Sequence, residues 1–262
     1  MAFLFEIHDA SVIIAIIDLT KGNMQTHNIT VIVPVYNECE SLDHFKQQMD
    51  LFLEKADLPT KVLFVNDGST DNSQEIIDGI CQNDTAYQCI QLRENVGLSG
   101  AMKAGIDIAD TEYVAYIDAD VQTHPEDFNL FIPHLGEFAM VNGIRAKRKD
   151  TIVKKLSSKI ANTYRRLLIN DGIEDTCCPL KIIKADYAKR IPFFDGMHRF
   201  LPALIQLQGG KVKQIPVRHF PRYAGTAKYN LWNRIRKPFI DTFAFMWMRN
   251  RYINYHLIDK NE

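Results

Sequence analysis

YVAYIDADVQ, residues 113–122, decides the fold of this chain. Its first six residues form an apolar, β-rich run that reads as a strand, and the run stops on carboxylates. In an extended chain, residues two apart face the same way. Asp118 and Asp120 would then point at one cation. Hard oxygen ligands, with one or two carboxylates completed by substrate phosphates, suit Mg²⁺ or Mn²⁺.

Working outward, similar runs recur on both sides. ITVIVPV (29–35), KVLFVN (61–66) and YQCIQL (87–92) are strand candidates, as are FAMVNGI (138–144), CPLKII (178–183) and KVKQIPV (211–217). Between them lie helical stripes, such as Leu42, Phe45, Met49 and Phe52. Asp71 and Gln74 resemble a capping pair at the start of the next helix. HRFLPALIQLQ (198–208) reads as a helix stopped by Gly209-Gly210. Strands alternating with helices predict an α/β fold: a Rossmann-like, doubly wound, mostly parallel sheet. Ligands of such sheets bind beyond the carboxyl ends of the strands. The polar residues that follow the first four strands fall there: Asn37 and Glu38, Asp67, Asn95, then Asp118 and Asp120.

The 262 residues suffice for one large domain with a buried core. Composition, at 46% hydrophobic and 24% charged, excludes a disordered chain or a coiled coil. Five cysteines (Cys39, Cys81, Cys89, Cys177 and Cys178) form neither a CxxC motif nor a zinc spacing, and read as reduced thiols. VIIAII (12–17) is too short to span a bilayer, which takes about 20 apolar residues, and lacks the features of a signal peptide. The stretch before Met24 looks unlike the rest, and Met24 is a candidate native start.

The net charge of −1 conceals an asymmetry. Residues 145–166 hold nine Lys/Arg against one Asp, and residues 211–251 hold ten against one. Two basic stretches on an acidic body suggest an anionic partner. Residues 231–255 interleave Trp232, Phe239, Phe243, Met246 and Trp247 with Arg234, Arg236, Lys237, Arg249 and Arg251. That pattern fits either an amphipathic helix at an anionic bilayer surface or a helix packed on the core. His124 and His198 are read as structural histidines in a turn and at a helix start.

VIVPVYNE (31–38), VNDGSTDNS (65–73), RENVGLSGAMKAG (93–105) and DADVQTHPED (118–127), in this order, resemble the family-two glycosyltransferases of GT-A fold. DTCCPLK (175–181), GMHRFLPAL (196–204) and PRYAGTAKYN (221–230) narrow the resemblance to the polyprenyl-phosphate branch, which includes dolichol-phosphate mannosyltransferase and undecaprenyl-phosphate glucosyltransferases. The resemblance covers roughly residues 29–250. It implies donor binding by Pro34, Tyr36, Glu38, Asp67, Arg93, Asn95, Gly97 and the Asp118-Ala119-Asp120 segment. It implies metal ligation by Asp118, Asp120 and Gln122. Arg222 and Lys228, with Arg199 as a third candidate, would hold the acceptor phosphate, and Asp175 lies at an acidic position near the acceptor. As a base, as an orienting group for Lys/Arg, or as a structural residue, Asp175 stays open.

The chain departs from the branch in four places. Cys177 and Pro179 stand where Gly is usual, Leu98 where many relatives have Lys, and Ala227 where Ser is usual. Many relatives also continue into transmembrane helices.

The resemblance implies a metal-dependent, inverting transfer of a hexose of the mannose or glucose class from UDP or GDP to a polyprenyl phosphate, serving cell-envelope glycan synthesis. It implies a cytoplasmic protein, peripheral at the inner membrane face, with no nucleic-acid partner. A homo-oligomer is expected from the resemblance alone. The expected division is 1–28 as an extension, 29–230 as the catalytic domain and 231–262 as a basic-aromatic tail. Two rivals remain open: a glycosyltransferase with a hydroxyl acceptor, and a nucleotide-sugar-binding subunit without turnover.

Overall fold

The computed structural model describes residues 28–145, 168–223 and 231–253, with the backbone alone at 231–238. The N-terminal stretch through residue 27, most of the first basic segment, and Gly225, Ala227 and Lys228 lie outside the described residues. Among the described residues, seven strands form one sheet: β1 Ile29–Val35, β2 Thr60–Asn66, β3 Tyr87–Gln91, β4 Tyr113–Tyr116, β5 Met140–Arg145, β6 Lys181–Lys184 and β7 Val212–Val217. Their spatial order is β3-β2-β1-β4-β6-β5-β7. The β1–β2, β2–β3, β1–β4 and β5–β7 pairs are parallel, whereas β6 runs antiparallel between β4 and β5.

Among the described residues, six α-helices accompany the sheet: α1 Cys39–Leu53, α2 Ser73–Asn83, α3 Leu98–Ile108, α4 Ala185–Lys189, α5 Leu201–Leu207 and α6 Leu231–Arg249. β1 is buried on both faces, as its unbroken apolar run requires. Val31, Val33 and Val35 pack with Leu42, Phe45, Met49 and Phe52 of α1 and Ile77 of α2. On the opposite face Ile32 packs with Met102 and Ile106 of α3, in a cluster that includes Leu204 of α5 and Phe245 of α6. Phe45, Met49 and Phe52 are fully buried, each stabilising by about 1.5–3 kcal/mol.

This is the mostly parallel α/β sheet expected from the alternation of strands and helices. Three local expectations are corrected. The strand of the opening stretch ends at Tyr116, so Asp118 and Asp120 lie in the turn after it, where Val121 has φ 56°. Asp71 and Gln74 form no capping box. Asp71 accepts from Ser73 N–H and Cys39 N–H, while Gln74 bonds Asn66 and Asp78. The helix read over 198–208 is split into a 3₁₀ turn at Met197–Arg199 and α5.

Candidate active site

The loops after β1, β2 and β4 meet at the carboxyl edge of the parallel strands. The β1 loop is laced to the β2 loop: Asn37 N–H donates to Ser69 Oγ at 3.0 Å and Glu38 N–H to Ser73 Oγ at 3.0 Å. Asn37 Oδ1 accepts from Thr70 N–H at 2.7 Å. Asn37 holds φ 52°, a left-handed conformation that Asn tolerates. Tyr36 is exposed at this corner, beside half-buried Pro34.

Asp67, at the β2 edge, is 3% exposed. Its two carboxylate oxygens accept from Val96 N–H at 2.8 Å and Gly97 N–H at 2.9 Å. Asn95 Nδ2 donates back to the Asp67 carbonyl at 3.2 Å. Burial raises the Asp67 carboxyl above its ordinary value, against the two backbone donors. These bonds tie down the 93–97 loop, which is what the chain uses Asp67 for in the structure. Arg93 lines an open depression of about 400 Å³ with Glu94, Val96, Gly100 and Lys103. That depression shares no residue with the acids after β4.

Those acids are close enough to repel. Burial, reinforced by the charge of Asp120, raises the Asp118 carboxyl, while the Tyr116 hydroxyl donates to Asp118 Oδ1 and opposes the shift. Burial raises Asp120 as well, with Arg222 opposing. Ala119 between them is buried. Among the described residues no group of three or more His, Cys, Asp or Glu gathers to hold a metal unaided. Two strained carboxylates presenting only oxygens nevertheless fit a hard divalent cation that draws its other ligands from a diphosphate. Gln122 is placed less directly. Its N–H donates to Asp120 Oδ1 at 3.2 Å, and its side-chain amide reaches the Phe220 carbonyl at 3.5 Å.

Arg222 arrives from the strand on the opposite edge of the sheet. The 218–223 segment after β7 is moored to the β4 loop. Arg218 is ion-paired with buried Asp127, and Phe220 N–H donates to the Gln122 carbonyl at 2.9 Å. Tyr223 stacks on His44 at 4.2 Å. Arg222 Nη2 thereby lies 2.9 Å from Asp120 Oδ2, and Nη1 lies 3.4 Å from Glu38 Oε1. Arg199 is directed elsewhere, to Asp241 on α6 at 3.4 Å.

Asp175 is clamped by Arg145, with Nε to Oδ2 at 2.7 Å and Nη2 to Oδ1 at 2.8 Å. Although burial opposes it, this bidentate pairing holds the Asp175 carboxyl below its usual range. Beside it lies Lys181, 2% exposed, which motif reading passed over except as the end of DTCCPLK. Its ammonium donates to Asn142 Oδ1 at 2.9 Å, to the Thr176 carbonyl at 3.1 Å and to the Cys178 carbonyl. Lys181 is the cross-strand neighbour of Tyr116, and its charge, with that of Arg145, favours ionised Asp118. No local signal in KII marks this lysine as buried; only the cross-strand register does. His198 is structural, its Nδ1 2.8 Å from Ser99 Oγ, and burial lowers its pKa to about 3.

Several known proteins are similar to this chain in sequence or in fold. A dodecaprenyl-phosphate galacturonate synthase of Rhizobium johnstonii is 27% identical over 237 residues, covering 87% of this chain and 69% of that protein. An undecaprenyl-phosphate 4-deoxy-4-formamido-L-arabinose transferase of Pectobacterium carotovorum is 30% identical over 209 residues, 78% of this chain. The matched region spans 63% of that relative's length. In fold, the chain is similar to a glucosyl-3-phosphoglycerate synthase from Mycobacterium tuberculosis solved with Mn²⁺, UDP-glucose and phosphoglyceric acid. The TM-score is 0.64 at 13% identity, over 92% of this chain and 85% of that one. A mannosyltransferase from Pyrobaculum calidifontis, solved with GDP-mannose and Mn²⁺, gives 0.62 at 17% identity, over 89% and 67%. The sequence model of glycosyl transferase family 2 matches residues 30–191, more than half of the chain. The protein is therefore a member of glycosyl transferase family 2.

Proposed function

We propose that this protein transfers a sugar from a nucleoside diphosphate to a polyprenyl phosphate, with inversion at the anomeric carbon. The observation that carries the reading is the company of the two acids: Asp120 is ion-paired with Arg222, which also contacts Glu38, and Asp118 lies in the field of Lys181 and Arg145. A hydroxyl acceptor must lose a proton as it attacks. A phosphate monoester, with a second pKa near ~6, is already largely dianionic at neutral pH and needs only cations to position it. Asp175, held ionised by Arg145, is a poor proton acceptor and fits the orienting role. Relatives named for transfer to dodecaprenyl and undecaprenyl phosphate support the same acceptor.

A divalent cation bound at this lip, Mg²⁺ or Mn²⁺, would neutralise the charge developing on the departing diphosphate. Asp118 and Asp120 would hold it, with Gln122 fixing the Asp120 carboxylate through its backbone. Pro34, Tyr36, Glu38 and the 93–97 loop, kept in place by Asp67, would frame the nucleotide. Arg222, with Lys228 on the same segment, would receive the acceptor phosphate; a guanidinium fork suits it geometrically. The sugar is proposed as a hexose of the mannose or glucose class. The relatives' galacturonate and 4-deoxy-4-formamido-L-arabinose belong in the same donor panel. Residues 29–230 form the proposed catalytic unit. The exposed face of α6 is the proposed contact with the membrane that carries the acceptor.

The test is product release from UDP-, GDP- and dTDP-sugars with Mn²⁺ and a polyprenyl phosphate, with and without chelator. Asp118→Asn and Asp120→Asn should each lower turnover about 10²–10³-fold. Asp175→Asn should retain the rising limb of the wild-type pH profile. Turnover with a glycan hydroxyl but not with lipid phosphate, lost in Asp175→Asn, would overturn the reading.

A further inference from the structure

Arg222 makes its shortest ion pair with a group assigned to the cation. Its Nη2 lies 2.9 Å from Asp120 Oδ2, while Asp120 Oδ1 is taken by the Gln122 N–H at 3.2 Å. A divalent ion coordinated by Oδ2 would sit beside the guanidinium, and two like charges on one oxygen repel strongly where water is scarce. Cation and guanidinium are therefore antagonists for Asp120. The backbone around Arg222 need not move for an exchange. Phe220 is bonded to Gln122 and Tyr223 is stacked on His44 at 4.2 Å, so the Arg222 backbone is moored on both sides. The long side chain alone can swing, and its 3.4 Å contact with Glu38 keeps the guanidinium at the rim of the site.

We propose that Arg222 is an exchange cation: a divalent ion at Asp120 releases its guanidinium, which then binds the acceptor phosphate, so the two ligands bind cooperatively. This rests on the function proposed above and adds an order to it. Acceptor phosphate is gripped well only after cation and donor have arrived, which keeps the lipid from occupying a site without donor. Linkage makes the effect reciprocal: a phosphate that captures Arg222 raises the affinity for the cation by the same factor.

The test measures Mn²⁺ binding to the full chain by the loss of the free-ion electron paramagnetic resonance signal, with UDP or GDP present. Arg222→Gln should bind Mn²⁺ about 5- to 100-fold tighter than wild type. Farnesyl phosphate should tighten Mn²⁺ binding to wild type and leave Arg222→Gln unchanged, and farnesol should do neither. Arg222→Lys, which keeps the charge, should remain near wild type in Mn²⁺ affinity; Arg222→Met, uncharged and of similar length, should bind Mn²⁺ as tightly as the glutamine variant and carries the comparison if that one fails to fold. Equal or weaker Mn²⁺ binding by Arg222→Gln, or phosphate coupling that survives the substitution, overturns the exchange while leaving the transferase reading intact. No Mn²⁺ binding to wild type at all, or binding that survives Asp120→Asn, defeats the cation site and the exchange with it.

Discussion

At the scale of single residues, the acids and Arg222 were legible because their motifs are local; His198 was legible as a structural histidine, though its partner Ser99, 99 residues away, was not. Its ring is half-buried with Nδ1 against Ser99 Oγ, and its pKa falls from the ordinary value of 6.5 to about 3 because burial disfavours the imidazolium. The unfolded chain therefore binds a proton that the folded chain refuses, between about pH 6.5 and pH 3. Stability rises with pH through that window and is lost as pH falls. At pH 5 the group should cost up to about 2 kcal/mol relative to pH 7, less in proportion to hydration of its exposed edge. His198→Asn, which can still bond Ser99, should flatten this dependence in urea unfolding at the two pH values; an unchanged slope would refute the assignment. The burial of Lys181 was not legible at all. A lysine in a β-run looks like a surface residue until the strand is placed between two others. Lys181→Met should destabilise by about 1–3 kcal/mol, read as a shift in the urea midpoint, because three buried acceptors lose their donor.

At the scale of elements, the site depends on two loops being pinned. Gly68, at φ 67°, lets the 93–97 loop pass so closely that an added Cβ would lie 2.7 Å from Asn95 N. Gly97, at φ 82°, has nothing within 4 Å of that position. The two glycines should therefore respond differently. Gly68→Ala combines backbone strain with a clash against main chain and should cost about 1–3 kcal/mol, with loss of the thermal shift given by sugar nucleotide. Gly97→Ala carries only the strain, about 1–2 kcal/mol, and should keep nucleotide binding. Equal responses would show that the loop approach is not what Gly68 provides. The DGS turn was readable from sequence as a turn. That Asp67 would serve the neighbouring loop rather than its own was not, since Val96 and Gly97 lie about thirty residues away.

At the scale of the whole molecule, α6 has two apolar faces. Phe245 is 2% exposed and stacks on Phe200 at 5.4 Å, so one face belongs to the core. Phe239, Phe243 and Trp247, one turn apart, are 48%, 51% and 67% exposed on the other. The helix thus packs on the core through one face, as one of its two readings expected, and its exposed aromatic face is the proposed membrane contact. Among the described residues no helix is long and apolar enough to cross a membrane. Changing Phe239, Phe243 and Trp247 together to Ser should reduce co-sedimentation with anionic liposomes several-fold while moving the melting temperature little, because these rings contribute little to the core. Sedimentation equal to wild type would remove α6 as the membrane contact. By itself, the sequence determined the strand-helix alternation, the acids at a strand end and the family, because periodicity and contiguous motifs are encoded within a few residues of one another. Only the tertiary structure decided the antiparallel insertion of β6, the burial of Lys181, the Arg145–Asp175 clamp and the placing of Arg222 on Asp120. Each of these joins groups distant along the chain, and nothing local sets such a distance until the sheet is assembled and its loops are packed edge to edge.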